Sequence, residues 1–178
     1  MNRASDTTER RPTLLSSCAL AATTAEARYR IDAAPQTARA TRVVALDDGA
    51  AAVVAPLPER PWRGARFLRY HDTGTPVPPE RELADLTLRT PDGAEVLLSG
   101  ELAEADFVLM IATTDHGAQA ASAIGNACTL RGIMTAGLIL GESGEVGAAV
   151  TALRPNARVL LVSTDQRDAA GLLTALGA

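Results

Sequence analysis

One stretch limits the fold more than any other: residues 105–141, ADFVLMIATTDHGAQAASAIGNACTLRGIMTAGLILG. Phe107–Ile111 is a continuous apolar run, as a parallel strand covered on both faces requires. A polar loop follows, and then a helix is expected over about 117–131. In it Gly117, Ala121, Ile124 and Cys128 share one face at helical spacing. Most of those side chains are small, so the helix can lie close on a sheet, and Cys128 reads as a core residue. Gly132 is placed to stop the helix, and residues 133–140 form a second apolar strand. The stretch is a βαβ unit.

The alternation continues to the end of the chain. A loop at 141–144 leads to a helix over about 146–153 that must end before Pro155. Residues 158–162 are a third strand. The last helix, 167–176, turns Leu172, Leu173 and Leu176 inward. Right-handed crossovers bring the three loops 112–116, 141–144 and 163–167 to one sheet edge, where open α/β sheets bind ligands.

Upstream the chain reads differently. The pair Asp48-Gly49, after Asp47, suggests a hairpin turn between strands at 42–47 and 51–55. A stiff proline-rich loop with Trp62 follows, with the indole covering a core edge. Residues 66–70 alternate as a half-exposed strand, with Phe67 and Arg69 on one side and Leu68 and Tyr70 on the other. Residues 83–89 and 94–99 flank Thr90-Pro91-Asp92-Gly93, the clearest hairpin in the chain. The fold expected is a single α/β domain over 42–178. Its Rossmann-like βαβαβα half, 105–178, is extended within one mixed sheet by a hairpin-rich part, 42–104. Residues 1–41 read as a polar tail with a short Ala-rich helix.

Composition excludes several chemistries. All 17 basic residues are Arg, a bias that GC-rich coding produces, so Schiff-base lysines and a P-loop lysine are impossible. A net charge of −4 without a dense basic run argues against nucleic acid. Cys18 and Cys128 make no metal-ligand spacing with His71 or His116. No apolar run reaches membrane-spanning length. An export signal near Arg10-Arg11 and residues 14–27 is the weaker reading, because Ser16 and Ser17 interrupt its apolar core; cytoplasm is the expectation.

The candidate site lies on the predicted loop edge. Ile111-Ala112-Thr113-Thr114-Asp115 and Leu161-Val162-Ser163-Thr164-Asp165 share a pattern of apolar strand, hydroxyl, Thr and Asp. Such residues cap helices, and Thr114 or Asp115, and Thr164 or Asp165, can serve so without any ligand. The functional alternative holds an anion on the same amides, with Gly117 allowing close approach. In that reading Thr113, Thr114, Gly117, Glu142, Ser143, Ser163, Thr164 and Arg167 bind the ligand, Arg167 as anion partner. His116 and Asp115 are the candidate catalytic pair, although neighbours at a helix start rarely face each other. The cofactor is left open.

Three resemblances are partial. Asp72-Thr73-Gly74 matches the triplet of aspartic peptidases, but Tyr70-His71 replaces the apolar strand end that precedes it there. The central unit resembles sugar-phosphate isomerase domains in Thr113, Thr114 and Gly117 without their Ser-x-Ser-Gly form. It resembles tubulin-like GTPases in Ala105-Asp106 without their glycine cluster. None of the three extends over enough of the chain to imply an activity. Two functions stay open: a small-molecule-binding domain or enzyme for an anionic or phosphorylated ligand, and a non-catalytic subunit that assembles with itself or with another protein.

Overall fold

The computed structural model describes residues 39–71, 86–141, 146–176 and 178. Seven strands form one mixed sheet in the order β4-β3-β2-β1-β5-β6-β7. They are β1 (Thr41–Ala45), β2 (Ala65–Tyr70), β3 (Thr87–Arg89), β4 (Glu95–Leu97), β5 (Phe107–Ala112), β6 (Met134–Leu140) and β7 (Val159–Ser163). Among the described residues the α-helices are α1 (Asp48–Val54), α2 (Leu98–Ala103), α3 (Ala118–Arg131), α4 (Gly147–Leu153) and α5 (Arg167–Leu176). Among the described residues no helix is long and apolar enough to cross a membrane.

Strands β2, β1, β5, β6 and β7 run parallel, while β3 and β4 turn back antiparallel at one end. This is a Rossmann-like α/β sheet with a hairpin extension. Its two faces are dry along β1, β5 and β6. Val43, Ala45, Phe67, Leu109 and Leu138 pack under α1 and α5, whereas Val44, Leu68, Met110 and Ile139 pack under α2, α3 and α4. Aromatic side chains are scarce, so the fit comes from small residues. On α3, Ala121, Ile124 and Cys128 are fully buried, as the spacing predicts. Burial pushes the Cys128 thiol up to about 12, partly offset by Arg131, and leaves it a neutral packing group. Gly132 adopts φ of 69° and ends α3, its amide reaching the Cys128 and Thr129 carbonyls.

The hairpin expected over 42–55 does not form. Residues 41–45 are a strand, but 48–54 are α1, and the chain returns in β2 parallel to β1. The positive φ of an Asp-Gly hairpin turn is absent, since Gly93 and Gly132 are the positive-φ glycines among the described residues. Instead Asp47 caps α1: its carboxylate accepts the Ala50 amide at 2.8 Å, and the alanines that follow favour helix. Strand β2 is half-exposed as expected, with Arg66 and Arg69 exposed, but its burial does not alternate: Phe67 and Leu68 face opposite ways and are both buried.

The second hairpin holds, as β3 and β4 around Gly93 with φ of 88°. Trp62 closes a core edge, donating its indole N–H to the Leu57 carbonyl at 2.7 Å. The join between the parts 42–104 and 105–178 follows directly on α2, and one sheet runs through both parts. Where strands begin, α2 is fixed by charge: Arg42 and Glu101, both buried, pair at 2.9 Å, and Arg66 reaches the same carboxylate at 2.9 Å. The readings at Leu14–Ala27, Cys18 and Asp72-Thr73-Gly74 lie outside the described residues.

Candidate functional site

Numbered among themselves, the parallel strands run 2-1-3-4-5, and the order reverses between β1 and β5. The β1–α1–β2 connection travels one way across the sheet with its helix on one face. The β5–α3–β6 connection travels the other way with its helix on the opposite face. The two loops therefore diverge at the carboxyl ends of β1 and β5 and open a crevice there, the usual ligand position in doubly wound sheets.

Asp47 spans this crevice. One carboxylate oxygen, Oδ2, accepts the Thr113 amide at 2.7 Å and the Thr114 amide at 3.0 Å. The other, Oδ1, accepts the Thr113 hydroxyl at 2.6 Å as well as the Ala50 amide. Burial pushes the Asp47 carboxyl up. The hydrogen bonds from the Thr113 hydroxyl and the Ala50, Thr113 and Thr114 amides outweigh it and hold the group below its ordinary value.

Two glycines permit the approach. A Cβ on Gly49 would stand 2.1 Å from the Thr113 hydroxyl oxygen, and one on Gly117 would stand 2.6 Å from Leu46 Cβ and 2.7 Å from its carbonyl oxygen.

The predicted loop residues are thus largely engaged with the fold. The Thr113 and Thr114 amides go to Asp47. Thr114 Oγ1 accepts the His116 amide at 3.4 Å and lies 3.2 Å from His116 Nδ1. Asp115 turns away from His116: its Oδ1 accepts the Ala149 amide at 2.8 Å and so caps the first turn of α4 from outside. After β7, Ser163 Oγ accepts the Asp165 amide at 3.0 Å and bonds the Asp168 carboxylate at 2.5 Å, while Asp165 accepts the Arg167 amide at 2.9 Å. That loop is a capped turn, with Thr164 and Arg167 exposed. Glu142 and Ser143 lie outside the described residues.

An open cleft of about 400 Å³ lies beside the Asp47 bridge. It is lined by Asp47, Asp48, Arg69, His71, Thr114 and His116 together with the ends of β1 and β2. Both histidines of the chain meet here, one from the end of β2 and one from the turn after β5. Arg69 pairs with Asp48 across the rim at 2.5 Å. Of the predicted residues, Thr114 and His116 line this cleft. Sequence reasoning missed Asp47, Asp48, Arg69 and His71. The available signal was Val43–Leu46, a four-residue apolar run ending in Asp, which is the form of a buried strand followed by a helix cap.

A second cavity, about 420 Å³, lies between α1 and the β3–β4 hairpin, with walls of Val54, Pro58 and Phe67. It adjoins the cleft through Arg69, which lines both, and neither histidine lines it. Among the described residues no group of three or more His, Cys, Asp or Glu side chains is placed to hold a metal ion. In comparison with known proteins, no family model, no curated protein and no solved structure matches the chain.

Proposed function

We propose that this domain binds a small anionic molecule in the cleft at the carboxyl ends of β1, β2 and β5. The observation that carries the reading is the convergence of both histidines and Arg69 on the crevice where the strand order reverses. The four donors around Asp47 are neutral and leave its negative charge in place, but they turn both its oxygens onto the loops, and Asp48 is paired with Arg69. The imidazoles are the groups left to address a ligand. An anion would be held by these side chains rather than by the loop amides, which Asp47 occupies. Were the domain an enzyme, His116 would be its acid–base group, steadied by Thr114 and not by Asp115.

Native mass spectrometry of protein purified without added ligand tests this. A bound small molecule is expected, lost in His116→Gln or His71→Gln while thermal stability holds. Retention of the molecule in both variants would overturn the placement. Assembly as a subunit is the second reading, and the specific observation in its favour is the outer edge of β7, which no strand among the described residues pairs.

A further inference from the structure

We propose that β7 is a self-pairing edge: two copies of the chain join their β7 strands antiparallel about Leu161, so that one sheet runs through both. This pairing deepens the assembly reading and rests on it. It is independent of the cleft, which is lined from β1, β2 and β5.

The two ends of the sheet are built differently. At one end β4 has three residues, its Glu95 is tied to Arg89 at 2.9 Å, and the chain passes directly into α2. A short, charged edge of this kind resists pairing. At the other end β7 has five residues, VLLVS, with neither charge nor proline, and Val159 and Val162 are 50% and 41% exposed. An apolar strand that no other strand among the described residues pairs is a template for another strand.

The backbone says which atoms would meet. The Ser163 carbonyl accepts the Gly141 amide at 3.0 Å, so the peptide groups of Ser163 face β6. Strand alternation turns those of Leu161 and Val159 the same way and leaves those of Leu160 and Val162 pointing outward. In an antiparallel pair centred on Leu161, Leu160 stands opposite Val162 of the second copy, and the reverse. The outward groups then meet as closely spaced hydrogen-bonded pairs, about four bonds across the two-fold axis. The same register sets Val162 against Leu160, and Val159 beside the second copy's Ser163.

Charge selects this direction. Arg158 precedes β7 and Asp165 follows it, both exposed. Antiparallel pairing brings each Arg158 to the end that carries the other copy's Asp165. Parallel addition in register would set Arg158 against Arg158, which is unfavourable.

Sedimentation velocity of the full chain over about 1–100 μM tests the pairing, together with amide exchange at Leu160 and Val162. The expected species has twice the 18.5 kDa chain mass, with both amides slow. Val162→Lys should raise the dissociation constant roughly tenfold or more and free the Leu160 amide, while Leu97→Lys at the opposite edge changes neither. Val159→Lys, at another half-exposed site, repeats the test should Val162→Lys fail to fold. A monomeric wild type with fast exchange overturns the pairing. So does a monomer with slow exchange, because another segment of the chain would then cover the edge. A dimer indifferent to both variants also overturns it, and leaves assembly through a different surface.

Discussion

Asp47 and Thr113, 66 residues apart, are bonded twice: the Thr113 amide reaches Oδ2 at 2.7 Å and its hydroxyl reaches Oδ1 at 2.6 Å. The same carboxylate caps α1, so one side chain fixes the start of a helix and ties the ends of the two central strands together. The crevice owes its shape to this bond. The bond joins the loops after β1 and β5 by side chain across the point where the strand order reverses, next to the backbone bond from the Leu46 amide to the Ile111 carbonyl.

Asp47→Ala should therefore cost more than a helix cap. A lost cap is worth about 1 kcal/mol, and two loop amides left without an acceptor add about 1 kcal/mol or more each, so the total should be about 3 kcal/mol. Urea unfolding measures it. A loss of about 1 kcal/mol would show that the Thr113 and Thr114 amides find water instead.

The same residue sets a pH dependence. Its folded carboxyl lies below the ordinary value of 3.8. In the window between the two values the unfolded chain binds the extra proton, so stability rises with pH there. The contribution is fully present above about 3.8 and is lost as the pH falls through the lowered folded value. Melting temperature against pH should fall more steeply on the acid side in wild type than in Asp47→Asn. Superimposable acid limbs would contradict this.

Gly117→Ala should destabilise by overpacking, about 1–3 kcal/mol, because its new methyl would meet the Leu46 carbonyl, which is backbone and cannot swing aside. Gly49→Ala meets the Thr113 hydroxyl instead. Its cost should shrink when Thr113→Ala is added, and chemical denaturation of the four-member cycle reads the coupling. Additive costs would mean that the two loops do not touch in solution.

From Phe107 onward the elements were legible in the sequence. Buried parallel strands leave unbroken apolar runs, α3 carries its small-residue face, and Gly132 marks its end. The chain before Phe107 was harder, for a local reason: Asp followed by Gly serves a hairpin turn and a helix cap equally well. Reading 47–49 as a turn made β1 and the residues after it a hairpin, when β2 returns parallel through α1.

That single difference hid half the site. Only a parallel β2 brings His71 to the same edge as His116, so the meeting of the two histidines depends on pairing between distant segments. His116, in contrast, sits in a loop whose position follows from the βαβ pattern alone. The roles of Thr113 and Asp115 were hidden differently. Both have the composition of caps, but their partners, Asp47 and the α4 amide of Ala149, come from other parts of the chain.

The cleft can be read directly because the chain holds two histidines and both line it. With histidine-labelled protein, the imidazole resonances should be followed during titration with inorganic phosphate and small carboxylates at fixed pH. Binding in the cleft predicts that both imidazoles shift together along one saturable curve, and that His71→Gln weakens the curve still seen at His116. Resonances that stay fixed through the titration, or that drift without saturating as they do in denaturant, would contradict a ligand site between β1, β2 and β5.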